Sequence, residues 1–179
     1  MFILCKNCGA MNVICLVLLL CFPLNILAQD VECYSAVCVD WQFKGSIPLY
    51  DSPNGKIIKY LKNDVKNEDY IEFEVHYKKG DMYYVTAIFF FQENISGWIY
   101  LNDSIGVFSR AYQGNLKLYE GPTENSKVSC IIEEYDPGLY SVIECCKDWL
   151  KVKRVLHGKT YVGWMPPEMQ CPNSYTTCP

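Results

Sequence analysis

The stretch Leu49-Tyr50-Asp51-Ser52-Pro53, LYDSP, returns at Leu118-Tyr119-Glu120-Gly121-Pro122 as LYEGP. One such stretch is an ordinary strand-to-turn passage; two of them ask whether the chain is a duplication. The neighbourhoods answer in the same order. After LYDSP come Asp81-Met82-Tyr83-Tyr84-Val85 and then Gly97-Trp98. After LYEGP come Asp148-Trp149-Leu150-Lys151-Val152 and then Gly163-Trp164. The three offsets are 69, 67 and 66 residues, so only small changes in loop length separate the copies. A repeat of this length decides the architecture before any single element does.

Each copy reads as strands. In residues 70–77, YIEFEVHY, the apolar Ile71, Phe73, Val75 and Tyr77 alternate with Glu72, Glu74 and His76, the period of a half-buried strand. Residues 82–91, MYYVTAIFFF, are uniformly apolar and rich in β-formers, which predicts a central strand along their whole length. KKGD at 78–81 and LHGKTY at 156–161 supply hairpin turns, while DSPNGK and YDPG carry Pro, Asn and Gly at turn positions. No window of a dozen residues shows a capped 3.6-residue period. Short strands between frequent turns predict an all-β fold of small barrels or sandwiches.

With these motifs assembled, the chain resembles a bacterial SH3-like domain present twice, over residues 46–101 and 115–168. The likeness rests on Leu-Tyr-x-x-Pro at the start, an aromatic-x-x-Val strand in the middle and Gly-Trp before the last strand. Met82 departs from the aromatic usual at its place. The resemblance implies two small β-barrels in tandem, of a kind appended to cell-wall enzymes or found in envelope proteins that bind peptidoglycan or peptides. The remaining segments are then an N-terminal arm (29–45), a linker (102–114) and a cysteine-containing tail (169–179).

Val13 to Phe22 form an unbroken apolar run, too short to span a bilayer and followed by Gln29-Asp30. That is the core of a secretory signal peptide over residues 1–28, with Met11 as an alternative true start. Lipid attachment at Cys21 would want a small residue before it, and Leu20 is bulky. Cys5 and Cys8 have a C-x-x-C spacing but no second pair to complete a zinc site. Export places the chain in the periplasm, at the cell surface or outside the cell, with no transmembrane span. The full chain has a formal charge of −4, which argues against non-specific nucleic-acid binding.

Beyond the leader lie Cys33, Cys38, Cys130, Cys145, Cys146, Cys171 and Cys178, all candidates for disulfides in an exported chain. Cys33 with Cys38 and Cys171 with Cys178 are close enough for local loops. Cys145 and Cys146 point to opposite faces of a strand, one to the core and the other within reach of Cys130. Seven is odd, so one thiol at least stays outside these pairs or joins another chain.

The chemistry is sparse. A cysteine-dependent hydrolase needs a thiolate and an oriented histidine, whereas His76 lies on a polar strand face and His157 in a tight turn. Glu72/Glu74 and Glu133/Glu134 read as solvated faces, no phosphate loop is present, and no cofactor is implied. The aromatics are better candidates: Tyr50 and Tyr119 beside turns, Trp98 and Trp164 after glycines, offer surfaces for a sugar ring or a peptide. Core packing is the competing role for both tryptophans. Asn94-Ile95-Ser96 and Asn102-Asp103-Ser104 fit the N-glycosylation pattern, and Asp103-Ser104-Ile105 resembles an O-glycosylation acceptor of some anaerobic bacteria, with Ser104 as the modified residue. The reading that follows is a non-catalytic, exported binding module of the bacterial envelope whose partner is peptidoglycan or an envelope protein. The alternative is a structural adaptor packed on another envelope protein, and a hydrolase ranks last.

Overall fold

The computed structural model describes residues 31–173, 175 and 178; the reading of residues 1–28 as a signal peptide and the Cys5, Cys8 and Cys21 readings lie outside them. The chain is all-β. Among the described residues fourteen strands run from β1 (Val31–Glu32) and β2 (Ala36–Val39) through β3 (Ile47–Tyr50), β4 (Ile57–Leu61), β5 (Glu72–Lys79), β6 (Met82–Ile88) and β7 (Ile95–Tyr100). They continue with β8 (Ile105–Ser109), β9 (Leu116–Tyr119), β10 (Val128–Ile132), β11 (Tyr140–Cys146), β12 (Trp149–Leu156), β13 (Lys159–Met165) and β14 (Gln170–Cys171). Just before β14 stands one 3-10 turn, Pro167–Met169.

The strands join in one antiparallel ladder, ordered β10-β9-β13-β12-β11-β8-β2-β5-β6-β7-β3-β4, with β1 added to β5 and β14 to β8. That order is a palindrome: each strand from β2 to β7 takes the place mirrored by the strand six later. The axis falls between β2 and β8, where Cys38 faces Gly106 and Val39 faces Ile105. Continuing that register sets Val37 opposite Val107. Both are fully buried and stand at corresponding places in the two halves. The segments read as arm and linker therefore supply the two central strands. Gly106 is needed at this join, because a Cβ there would stand 2.2 Å from the Tyr140 carbonyl oxygen.

Local irregularities repeat as well. A bulge interrupts β5 between Val75 and Tyr77, and another interrupts β11 between Val142 and Glu144. The two-residue turns after them hold Gly80 and Lys147 at φ of 59° and 55°. At His157-Gly158 both residues have positive φ, as a tight hairpin between right-twisted strands requires. Glycine tolerates that conformation freely; Lys147 and His157 adopt it against their steric preference.

A single apolar core spans both halves, built from the inward sides of the strands: Phe73, Val75 and Val85 in the first, Tyr140, Val142 and Val152 in the second. Each fully buried aliphatic or aromatic side chain contributes about 1.5–3 kcal/mol relative to exposure. Two expectations are corrected here. β6 ends at Ile88, and Phe90 and Phe91 project from a loop at 78% and 66% exposure. The reason is Asp69, a carboxylate only 1% exposed, which accepts the Phe90 N–H at 2.7 Å and the Phe91 N–H at 3.4 Å. Those N–H groups are thereby diverted from the ladder. Tyr77, expected inside with Phe73 and Val75, is turned by the β5 bulge onto the outer face.

Candidate functional site

Tyr50 lies directly across from Trp98, and Tyr119 directly across from Trp164. The glycines before the tryptophans make this possible. A Cβ on Gly97 would stand 2.7 Å from Leu49 Cγ, and one on Gly163 would stand 2.8 Å from Leu118 Cβ. Trp98 and Trp164 are 7% and 6% exposed, so their rings serve mainly as walls; Tyr50 and Tyr119 are half-buried. In strand order the two pairs sit near opposite ends of the ladder, away from the β2–β8 join.

The halves differ at the place each tyrosine adjoins. Beside Tyr119 a groove of about 560 Å³ is lined by residues 122–125 together with Asp148, Trp149, Pro167 and Glu168. Tyr119 meets the Trp149 ring edge-on at 5.7 Å. The turn after β9, the start of β12 and the 3-10 turn each bring one wall. The corresponding place beside Tyr50 is closed over: the Asn54 N–H points to Met82 Sδ at 3.3 Å, and the Tyr100 hydroxyl donates to Asn54 Oδ1 at 3.0 Å. Met82, the residue that departs from the aromatic usual, is 2% exposed beneath that cover. The groove presents an indole, two prolines and three carboxylates, a surface suited to a peptide bearing positive charge. Among the described residues no cluster of three or more His, Cys, Asp or Glu is arranged to hold a metal ion.

The outer face of the first half is aromatic. Tyr77, Tyr84, Trp98 and Tyr50 follow one another as direct cross-strand neighbours on β5, β6, β7 and β3. Tyr77 stacks on Tyr84 at 5.2 Å, and both contact Trp98 at 5.4 Å. The same register in the second half holds Glu144, Lys151, Trp164 and Tyr119. There an ion pair, Lys151 to Glu144 at 3.4 Å, replaces the two tyrosines.

The other sequence candidates are dispersed. His76 is half-buried, its Nε2 2.8 Å from Thr86 Oγ1, and Thr86 Oγ1 is 2.9 Å from Ser96 Oγ. His157 occupies its hairpin turn and lines a cavity of about 450 Å³ together with Glu133, Glu134 and Lys159. Ser104 sits in the turn before β8, its hydroxyl donating to Asn102 Oδ1 at 2.5 Å and its N–H to the same oxygen at 2.8 Å. Cys171 and Cys178 are bonded, closing the tail. Cys33 bonds not with Cys38 but with Cys145, whose Cα is 5.8 Å away. Cys33 is held beside Lys147 by a β-bridge, whereas Cys38 is buried at the central join with its thiol 3.5 Å from the Gly106 carbonyl. Cys130 and Cys146 are not bonded to each other. Burial raises the Cys130 thiol above its usual range.

Trp149, Tyr77 and Tyr84 were not singled out by sequence reasoning. An aromatic directly after the turn aspartate, Asp148-Trp149, was the available signal for the first. For Tyr77 nothing short of the bulge position reveals the outward face, whereas Tyr84 alternates with the buried Tyr83 and Val85. No protein-family model matches the chain, and no curated protein matches it.

Proposed function

We propose that the chain is an exported, non-catalytic binding module of the bacterial envelope, built on two SH3-like barrels, and that the groove beside Tyr119 holds a peptide. The observation that carries this is the contrast between the halves: the same place is open, aromatic and acidic at Trp149 and plugged at Met82. The three carboxylates favour a ligand with free amino groups. The stem peptide of peptidoglycan and a basic segment of an envelope protein both meet that need. Two disulfides among the described residues are compatible with export.

The adaptor reading has its own support in the exposed Phe90-Phe91 loop, whose rings pack edge-on at 4.8 Å and whose backbone is fixed by buried Asp69. Preordered apolar side chains of this kind anchor protein interfaces. Retention of the purified mature chain on peptidoglycan sacculi separates the two. The binding reading expects retention that falls at least tenfold in Trp149→Ala and in Tyr119→Ala. A wild-type chain that is not retained removes peptidoglycan as ligand. A copurifying protein lost in Phe90→Ser/Phe91→Ser but kept in Trp149→Ala favours the adaptor.

A further inference from the structure

The cross-strand row on the first half has no role in the groove reading, and the fold does not require it. Its register is kept in the second half by Glu144 and Lys151, a partly exposed pair of the sort that contributes little. The first half instead places two partly exposed tyrosines there, against a tryptophan wall and beside His76. The bulge between Val75 and Tyr77 makes this possible, because two residues of β5 then oppose one of β6, and His76 and Tyr77 both reach Tyr84. Next to the rings runs a chain of polar groups, His76 Nε2 to Thr86 Oγ1 to Ser96 Oγ, at 2.8 and 2.9 Å.

We propose that this face, Tyr77, Tyr84 and Trp98 with the His76–Thr86–Ser96 chain at its side, binds a neutral sugar ring of a glycan. The chemistry selects that ligand. Aromatic carbon faces pack against the C–H side of a pyranose, while hydroxyl and imidazole groups exchange hydrogen bonds with ring hydroxyls or an acetamido group. The four rings carry no charge; the carboxylate at the side of the site is that of exposed Glu74, directly across from Thr86, where it can accept a hydrogen bond from a sugar hydroxyl. The site is separate from the groove at Trp149 and stands or falls independently of it.

The test is an NMR titration of the full mature chain with the β-1,4-linked trimer of N-acetylglucosamine. The indole of Trp98, the ring of His76 and the indole of Trp149 are followed together. Saturable shifts at Trp98 and His76 with Trp149 still are expected, little changed by about 1 M NaCl, where charge interactions are screened within about 3 Å. The double variant Tyr77→Glu/Tyr84→Lys installs the second half's ion pair, which that register already accommodates, and is expected to weaken binding about tenfold or more. Thr86→Val, which keeps the shape and removes the hydroxyl, is expected to weaken it severalfold. No saturable shift at millimolar trimer overturns the proposal. So does binding unaffected in a folded Tyr77→Glu/Tyr84→Lys variant, or a response confined to Trp149.

Discussion

Removing the Cys33–Cys145 bridge by Cys33→Ala/Cys145→Ala is the perturbation whose size follows most directly from the structure. The bridge spans a sequence separation of 112, from the strand arm before the first half to β11 of the second. The tail bridge Cys171–Cys178 spans 7. In the chain-entropy account, closing loops of these lengths removes about 4.8 and about 2.4 kcal/mol of unfolded-state freedom. The native arm keeps other ties: Cys33 N–H to His76 O at 3.0 Å, Tyr34 N–H to Lys147 O at 2.7 Å and Lys147 N–H to Glu32 O at 2.8 Å. Its position should therefore survive the substitution, and the loss should fall on the unfolded state. Urea unfolding followed by circular dichroism is expected to show a stability loss about twice that of Cys171→Ala/Cys178→Ala. Alanine avoids leaving one thiol buried, since Cys33 and Cys145 are 0% and 2% exposed. Equal losses from the two double variants would refute the reasoning. A loss from the long bridge accompanied by two separate unfolding transitions would refute the single shared core.

Other consequences are equally concrete. Gly97→Ala and Gly163→Ala each force a Cβ within 2.8 Å of the leucine on the neighbouring strand, and each should cost about 1–3 kcal/mol in the same unfolding assay. Arg154→Ala should cost about 2–3 kcal/mol, because the guanidinium bonds both Asp136 oxygens at 2.5 and 2.9 Å and the Leu139 carbonyl at 3.1 Å. Burial raises the Glu72 carboxyl above its usual range. A raised acid pKa means the folded state binds more protons than the unfolded one, so stability is lost as pH rises through the carboxylate range. Glu72→Gln should accordingly gain on the wild type between pH 4 and pH 7 in thermal unfolding, and a constant difference across that window would count against the assignment.

Much of the fold was legible because the repeat is written in residues that backbone geometry demands. Gly97 and Gly163 are forced by the approach of Leu49 and Leu118, and the turn sequences around Gly80 and Gly158 announce their hairpins. The join was not legible. Val37 and Val107 lie in short segments with no repeat motif, and only the tertiary pairing of β2 with β8 makes them central. Phe90 and Phe91 misled because their composition is that of a strand, while their N–H groups are taken by a carboxylate about twenty residues upstream. The tyrosine-tryptophan pairs were found from the same motifs, but which of them borders an open groove depended on Asn54, Met82 and Tyr100 meeting across three segments. The Cys33–Cys145 bridge was hidden for a related reason, since its partners are joined by the fold rather than by spacing.

The central claim, that the second half carries the peptide groove and the first does not, is tested most directly by one titration. A lysine-containing stem peptide of peptidoglycan is added to the chain from Gln29 onward while the indole signals of Trp149 and Trp98 are followed. The account predicts a saturable shift of Trp149, abolished in Glu124→Gln/Asp148→Asn/Glu168→Gln, with Trp98 unmoved. A saturable shift of Trp98 with Trp149 silent would contradict it.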